Sequence, residues 1–429
     1  MDHYIDKIND LLPPDVFDII FHILRSEEPD KKGLFQASLV CRTWRHHTLR
    51  HRFHSLSLTL TAPSDWDTGP DEDSYSARDF QKTQLFLAVQ HYVQVLQLTA
   101  NPPFLSPDFA HVARFFPSLH SLTLIGILTS PSSPLEALYP VHLDNLTISG
   151  SLSAYTMKAR PGHDSRGLSA VLSQFSSIKH LKLVDLYSLN EDDEPSGSDN
   201  ALPSLSSLTL RQTPLEGPMA DIIERMVTPG RLRHLDLTAF STNEPDEALV
   251  LAHRRHFAEP IEHLKVSVTC WGSHDADEVS SYTYLSCLPN LKRLALAIEL
   301  ELVDGVVSGA ELEALNAVSW TRATHVLDSL DVSSHLNRID LWISSTEVFD
   351  PETFLPRVET LLSEDCDARA RFEDAMVTLV NQGRLDSVRP SLYCAPPTDH
   401  GLVPDFHIHS GQVPRTAFPR LDRAGALQV

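Results

Sequence analysis

The sequence predicts an α/β protein in which a short helical N-terminus precedes a solenoid of repeated units with parallel strands and outer helices. Three observations predict it. Apolar residues recur with helical spacing between residues 11 and 60, and an apolar triplet of pattern Φ-x-x-Φ-x-Φ (Φ apolar) recurs from residue 53 onward. Leucine supplies 62 of the 429 residues, a bias typical of helix packing or of a leucine-rich array.

We expect four parts along the chain. Residues 1–55 form the helical N-terminus, and residues 56–345 form the solenoid. Residues 346–389 supply one or two helices that cap the solenoid, and residues 390–429, rich in proline, form an extended or disordered tail. The 42% hydrophobic fraction provides enough apolar material for a sizeable core.

The charge balance excludes two classes of partner. The 57 acidic residues exceed the 35 Lys and Arg residues, giving a formal net charge of −22. Nucleic acids and anionic membranes are bound mainly through Lys and Arg, so we expect neither as a partner. Residues 1–58 hold eight acidic and eight basic side chains, so the rest of the chain carries the whole acidic excess.

The sequence also predicts where the protein resides. Five cysteines lie far apart without a C-x-x-C pair, a pattern typical of reduced thiols. The opening Met1-Asp2-His3-Tyr4 lacks the basic and apolar regions of a secretory signal, and no apolar run is long enough to span a membrane. We therefore expect a protein of the cytoplasm, the nucleus or both.

The helical N-terminus carries more apolar surface than it can bury alone. Pro13-Pro14-Asp15 begins a helix, and its apolar residues recur at positions 16, 19, 20, 23 and 24. A second apolar stretch covers residues 34–44, and the cationic, histidine-rich segment 45–54 follows it. Two or three short helices in about forty residues are too small to bury this surface, which predicts a partner or the rest of the chain as its cover.

This segment resembles the F-box-like motif of the F-box-like proteins that are numerous in fungi. The likeness rests on Leu12-Pro13-Pro14-Asp15-Val16-x-x-x-Ile20-Phe21-x-x-Leu24 followed by Ala37-Ser38-Leu39-Val40-Cys41-Arg42-x-Trp44-Arg45. The resemblance implies docking on a Skp-type adaptor of a cullin ubiquitin ligase. The adaptor-binding residues that it implies are Leu12, Pro13, Val16, Ile19, Ile20, Leu24, Leu39, Val40, Cys41 and Trp44.

One feature departs from the family pattern. The connection between Leu24 and Leu34 is about five residues longer than usual and is charged. Loop-closure entropy grows slowly with length, so the fold tolerates the insertion, although the adaptor contact can change. Two alternatives therefore stay open: a helical hairpin that only covers the end of the next domain, and a repeat scaffold that never joins a ligase.

The body of the sequence repeats. Six of the nine gaps between successive triplets span 24–30 residues, and the longer gaps contain insertions. Helical faces precede several triplets, and prolines 117, 203 and 289 stand two residues before the first leucine, where a helix would end and a strand begin. The triplets begin at Phe53, Val93, Leu119, Leu143, Ile178, Leu205, Leu232, Ile261, Leu291 and Leu336.

These units resemble irregular leucine-rich repeats. The Asn or Cys that normally follows the third apolar residue is missing, since Thr213, Phe240 and Thr269 are among the residues at that place. The resemblance implies a curved solenoid whose concave strand face binds a protein. Given the net charge, we expect that face to be acidic.

No catalytic signature stands in the sequence. Phosphate-loop, dinucleotide, nucleophile-elbow and zinc-protease motifs are all missing. His47 and His51 have metal-chelating spacing, but neighbouring arginines disfavour a cation there. We therefore expect an adaptor rather than an enzyme, without catalytic residues, cofactor or metal, that binds a Skp-type adaptor and a client protein of unknown identity.

Overall fold

The computed structural model describes much of the chain. The described residues are 14–27, 32–40, 42–61, 89–105, 115–128, 141–150, 167–172, 175–184, 186, 203–211, 223–226, 231–237, 259–268, 285–286, 288–300, 309–330, 336–345, 358, 362, 366–393, 409–412 and 415–428. The chain divides into two compact units, described separately below. Unit 1 comprises residues 1–185 and 192–203, and unit 2 comprises residues 186–191 and 204–429.

Unit 1 begins with three helices and continues with parallel strands. The helices are α1 (Pro14–Glu27), α2 (Lys32–Ser38) and α3 (Arg42–Arg52). The strands β1 (Ser55–Thr61), β2 (Val95–Leu105), β3 (Ser121–Leu128), β4 (Val141–Ser149) and β5 (Phe175–Val184) pair in chain order, each parallel to the next. A short helix, α4 (Gly167–Leu172), precedes β5.

Unit 2 contains more parallel strands and two longer helices. Strands β6 (Ser207–Arg211), β7 (His234–Leu237), β8 (His263–Val268) and β9 (Arg293–Leu300) are followed by helix α5 (Gly309–Asp328) and strand β10 (Leu336–Ser345). Helix α6 (Asp367–Asn381), strand β11 (Leu385–Tyr393), strand β12 (His409–Gln412), a 3-10 helix (Arg415–Ala417) and helix α7 (Pro419–Arg423) complete it. Strands β6 to β11 pair in parallel, whereas β12 is antiparallel to β11. The predicted α/β class with parallel strands is confirmed.

The apolar triplets form the buried side of these strands. In all nine triplets from Val93 onward the three apolar side chains are buried, and the first triplet is half-buried. The second residues of successive triplets pair across the strands. In unit 1 this row is Leu56, Leu96, Leu122, Leu146 and Leu181. In unit 2 it is Leu208, Leu235, Leu264, Leu294, Ile339 and Val388.

A repeated backbone contact joins several pairs of neighbouring parallel strands near their N-terminal ends. The carbonyl oxygen of the residue that precedes one strand accepts two N–H groups from the next strand's start. His54 O, for example, accepts from Gln94 N at 2.9 Å and Val95 N at 3.0 Å, and Glu262 O accepts from Lys292 N at 2.8 Å and Arg293 N at 3.0 Å. These bonds satisfy backbone groups at the strand starts without an asparagine side chain.

The prediction of capping helices over 346–389 is wrong in part. Helix α6 lies there, but β11 follows it and continues the parallel series, with Leu385 opposite Leu336 and Val388 opposite Ile339. The third apolar position of this additional unit is Pro390, opposite Leu341. A proline within an apolar run argues against a strand, which is why the sequence pattern missed it.

The predicted extended or disordered tail over 390–429 is also corrected. Residues 390–393 complete β11, and 409–412 and 415–428 form a strand and short helices, while 394–408 lie outside the described residues. Phe418 and Leu421 are fully buried. The Trp320 ring lies 5.4 Å from that of Phe372 and 6.2 Å from that of Phe418, so the C-terminus packs on α5 and α6.

Polar contacts hold the same C-terminal segment. Glu373, buried in α6, accepts the backbone N–H of Leu421 through Oε1 at 2.8 Å and also that of Arg420. The Arg420 guanidinium donates to Asp374. A buried carboxylate that accepts N–H groups at the start of α7 satisfies donors that the helix cannot satisfy itself.

Candidate protein-docking surface

The three N-terminal helices share a small apolar core. Phe17 and Phe21 of α1 pack with Leu34 and Ala37 of α2, and all four are buried. Phe17 and Phe21 lie on one side of α1 because a spacing of four residues returns to the same helix face. Three half-buried residues surround this core, and they are Ile20, Leu24 and Trp44.

Aromatic rings lock α1 to α3 across this core. The Trp44 ring meets Phe21 edge-on at 5.5 Å and Phe17 edge-on at 6.1 Å between ring centroids. The His47 ring stacks on Phe17 at 5.3 Å, and the His51 ring lies 6.1 Å from Phe21. Edge-on aromatic pairs add stabilisation beyond the area that they bury. His47 and His51, whose spacing in the sequence would suit a metal site, therefore contribute to this aromatic core.

The opposite side of these helices leaves large apolar side chains exposed. Six large hydrophobic side chains are exposed in the described part of the chain, and only Val318, at 38%, lies outside the N-terminal helices. We call the other five the exposed apolar set: Ile19 at 60%, Ile23 at 45%, Phe35 at 49%, Leu39 at 63% and Val40 at 44%.

The backbone after α2 fixes part of this set. The turn is closed by Leu39 N donating to Gln36 O at 3.0 Å and Val40 N donating to Ala37 O at 3.1 Å. The Ser38 hydroxyl donates to Phe35 O at 2.6 Å. The Arg52 guanidinium lies 5.3 Å from the Phe35 ring centroid. Leu39 and Val40 therefore leave the helix at a hydrogen-bonded turn rather than along its buried face.

The predicted adaptor-binding residues divide into three groups. Ile19, Leu39 and Val40 are exposed, whereas Ile20, Leu24 and Trp44 pack on the core and Val16 is half-buried. The side chains of Leu12, Pro13 and Cys41 lie outside the described residues. Sequence reasoning missed Ile23 and Phe35 as exposed residues, although both stand in the apolar pattern that it identified.

A cleft adjoins the exposed face of α1. Its volume is about 420 Å³, and Ile19 and Ile23 line it. The remaining lining is polar and largely basic, and it consists of His22, Arg50, His51, His54 and Gln94. The cleft thus combines the exposed apolar residues of α1 with the basic end of α3, an arrangement suited to a protein segment that carries both apolar and acidic side chains.

The solvent-side strand faces of the two units differ in charge. In unit 1 the residues that face outward between the apolar positions are mostly Ser, Thr, Asn and Gln, together with Lys182, and the exposed Lys179 of β5 forms an ion pair with Asp144 of β4. In unit 2 two rows of cross-strand partners face outward on β6 to β11. The first row runs from Ser207 to Ser387 and the second from Thr209 to Arg389. Together they hold four Lys or Arg side chains, two histidines and two aspartates. The prediction of an acidic strand face is wrong for these described strands, because the acidic excess lies elsewhere.

We call this part of unit 2 the basic strand face. Its cationic and histidine residues are His234, His263, Arg293 and Arg338 in the first row and Lys265 and Arg389 in the second. Its two carboxylates are Asp236 and Asp340.

Two aspartates organise the basic strand face. Asp340 is buried. Its Oδ2 accepts a hydrogen bond from Arg293 Nε at 2.5 Å, and its Oδ1 forms an ion pair with Arg338 Nε at 3.0 Å. Lys265 Nζ lies 3.6 Å from Asp236 Oδ2. One carboxylate neutralises only one of two guanidiniums, so the group around Asp340 keeps a positive charge.

Small side chains on β9 shape the middle of this face. Ala295 and Ala297 stand between β8 and β10 in the outward rows. Lys265 Nζ consequently reaches across β9 to within 3.9 Å of the Trp342 ring centroid. A cation above an indole is attracted by the ring quadrupole, and this contact holds the Lys265 chain along the sheet.

The residues that the structure describes lack two patterns, a metal-binding cluster and a membrane-spanning helix. No group of three or more His, Cys, Asp or Glu side chains with metal-binding geometry occurs among the described residues. Within the same residues, none of the helices has both the length and the apolar character that crossing a bilayer requires.

Comparison with known proteins adds no assignment. A scan against models of protein families finds no match. A search of curated proteins also finds no relative.

Proposed function

We propose that the protein is the substrate-recognition subunit of an SCF-type (Skp-cullin-F-box) ubiquitin ligase. The N-terminal helices bind a Skp-type adaptor, and the strands that follow bind a client protein. The observation that carries the proposal is the exposed apolar set on α1, α2 and the turn after α2. A surface of this kind favours a protein partner, since each large apolar side chain that is buried contributes about 1.5–3 kcal/mol.

The position of the exposed set supports this assignment. The residues lie in the segment whose sequence resembles an F-box-like motif, and Ile19, Leu39 and Val40 belong to the residues that the resemblance implies as contacts. The buried side of the same helices is occupied by Phe17, Phe21 and their neighbours. The helices can therefore keep their own fold while they present a second apolar face to an adaptor.

The strands support the repeat part of the proposal. Successive sequence repeats contribute one parallel strand each. The rows of leucines on these strands stay in register within unit 1 and within unit 2. A unit that buries its apolar face only against its neighbours is typical of leucine-rich repeats. We infer an irregular leucine-rich-repeat domain that lacks the usual asparagine after the strand and in which paired backbone hydrogen bonds join neighbouring strands at their N-terminal ends.

The mechanism is one of effective concentration. A client bound to the strands is held near a ubiquitin carrier that other ligase subunits position. Transfer then proceeds between tethered groups instead of freely diffusing ones, which raises the local concentration to about the millimolar range for a short flexible tether. The protein itself supplies binding surfaces and no catalytic group.

Co-purification with a purified Skp-type adaptor tests the proposal. The full chain is expected to retain the adaptor, and the double variant Ile19→Asp/Leu39→Asp is expected to lose it because it places two charges on the apolar contact. Both residues are exposed, so folding is expected to survive, which circular dichroism checks. Val318→Asp is the matched control, since Val318 is also an exposed apolar residue but lies on α5 of unit 2.

The second candidate is a repeat scaffold that never joins a ligase. The long charged connection between α1 and α2 favours it, because an inserted segment beside the exposed set can change the adaptor contact. The same experiment separates the two candidates. A wild-type chain that folds but retains no adaptor supports the scaffold.

A further inference from the structure

We propose that the basic strand face of unit 2 binds an acidic segment, rich in Asp and Glu, of the client protein. The inference rests on the proposed client-binding role of the strands and names the chemistry of that client. It is opposite to what the chain's net charge of −22 indicates.

Strand register brings two arginines and two histidines together. His234, His263, Arg293 and Arg338 are direct partners across four adjacent strands. Adjacent strands lie about 4.8 Å apart, so these four side chains form a continuous row about 14 Å long. Two residues further along, Lys265 and Arg389 stand in the second row. A row about 14 Å long can contact several residues of an extended peptide at once, whereas a single ion would contact only part of it.

The face keeps an unbalanced positive charge. Across its two rows four Lys and Arg side chains face two aspartates, and both aspartates are already occupied by Lys265, Arg293 or Arg338. Arg389 is exposed, and the Arg293 side chain keeps 42% of its surface exposed. The remaining charge is therefore accessible to a ligand.

A stacked histidine pair lies in the same row as these cations. The His234 and His263 rings stack with centroids 4.5 Å apart and planes at 16°. Burial first, and then the charges of His234 and Arg293, lower the pKa of His263. Carboxylates bound beside this pair would relieve the repulsion between its cationic neighbours.

The charge of the rest of the chain favours a short peptide over a nucleic acid. At physiological ionic strength charges are screened over about 8 Å, so a peptide on this face responds mainly to the local cations. A long polyanion also responds to the charge of the whole chain, whose formal net charge of −22 repels it. We therefore commit to a carboxylate-rich peptide of a partner protein.

Fluorescence anisotropy with the full chain tests the inference. The probe is a dye-labelled Glu/Asp peptide of about eight residues, which spans about 27 Å when extended, and a Gln/Asn peptide of equal length is the neutral control. We expect saturable binding of the acidic peptide only, weakening at higher salt. The neutral peptide binding equally well, or neither peptide binding, would overturn the inference.

Charge-matched variants locate the site. Lys265→Gln/Arg389→Gln removes two cations from the face and is expected to weaken binding by about three- to thirty-fold. Arg371→Gln/Arg423→Gln removes two exposed cations from α6 and α7 of the same unit and is expected to leave affinity unchanged. Equal weakening by both pairs would contradict the assignment, because net charge alone would then explain it.

Two further arms keep the result specific. A single-stranded oligonucleotide of similar length that binds tighter than the peptide, with the same loss in Lys265→Gln/Arg389→Gln, would replace the peptide by a nucleic acid and overturn the inference. Adaptor co-purification of the same variant is expected to be normal. Loss of peptide binding with normal adaptor capture separates this inference from the proposed ligase role.

Discussion

The Phe21 ring meets the Trp44 indole edge-on, with ring centroids 5.5 Å apart and planes at 80°. This contact fixes α1 against α3 from the buried side. Two residues away on α1, Ile19 and Ile23 face outward and are exposed. The same helix therefore serves two surfaces, one that holds the N-terminal fold together and one that is available to a partner.

We predict that shortening a side chain has different effects on the stability of the helices at these two surfaces. Phe21→Ala removes a fully buried ring and is expected to lower the stability of the three helices by about 3–5 kcal/mol. Backbone amide hydrogen exchange in α1 to α3 measures this as faster exchange. Ile19→Ala is the control, with an expected effect within about 0.5 kcal/mol because the side chain is exposed. Equal acceleration by both changes would contradict the division into two surfaces.

Much of the strand architecture could be predicted from the sequence because its signal is local. Each apolar triplet sets which side of a strand is buried, and the regular spacing of triplets sets the parallel order. The eleventh parallel strand, β11, was not predicted because Pro390 occupies its third apolar position. The ordered C-terminal segment was not predicted because its buried residues Phe418 and Leu421 are too few to form a sequence pattern. The contact of Phe418 with Trp320, which also meets Phe372, is visible only in the structure.

We predict that the C-terminal segment stabilises unit 2. Phe418→Ala leaves a cavity beside Trp320 and is expected to lower the free energy of unfolding by about 3–5 kcal/mol. Urea unfolding, followed by the tryptophan fluorescence, measures the change. Arg423→Ala, an exposed change on the same short helix, is expected to have little effect. A Phe418→Ala protein as stable as the wild type would show that the segment is dispensable.

We predict opposite effects of Asp340→Asn on stability and on peptide binding. The buried carboxylate pairs with Arg293 and Arg338, whose side chains keep 42% and 27% of their surface exposed, so its loss is expected to lower stability by about 1–3 kcal/mol. The same change makes the basic strand face more positive, so the acidic peptide is expected to bind more tightly. Urea unfolding and anisotropy measure the two effects. Weaker peptide binding by a folded Asp340→Asn protein would contradict the account.

We predict that His263 makes stability depend on pH. Burial, followed by the positive charges of His234, Arg293 and Lys292, lowers its pKa below the ordinary value of 6.5, and Glu262 opposes this only in part. Well above pH 6.5 the imidazole is neutral in both the folded and unfolded chain, so it has no effect. As pH falls below 6.5 the unfolded chain takes up the proton first, and the free energy of unfolding decreases until the folded pKa is reached.

Urea unfolding across this pH range checks the histidine prediction. His263→Gln is expected to lose this component of the pH dependence, whereas His91→Gln, an exposed change in unit 1, is expected to keep it. An NMR titration that places the His263 pKa at or above 6.5 would count against the prediction.

The candidate site was harder to predict than the fold. Helical spacing identified the apolar residues of α1 but could not decide which of two adjacent residues, Ile19 or Ile20, faces the core. That choice depends on where Phe17 and Phe21 meet α2 and α3. The basic strand face was hidden for a similar reason, since its cations and histidines are spread over more than 150 residues of sequence and only strand register brings them together.

Calorimetric titration of the full chain with a purified Skp-type adaptor tests the central claim most directly. The account predicts a stoichiometric complex with a negative heat-capacity change from apolar burial. It also predicts loss of that complex in Ile19→Asp/Leu39→Asp and its retention in Val318→Asp. No binding by the folded wild-type chain, or undiminished binding by Ile19→Asp/Leu39→Asp, would contradict it.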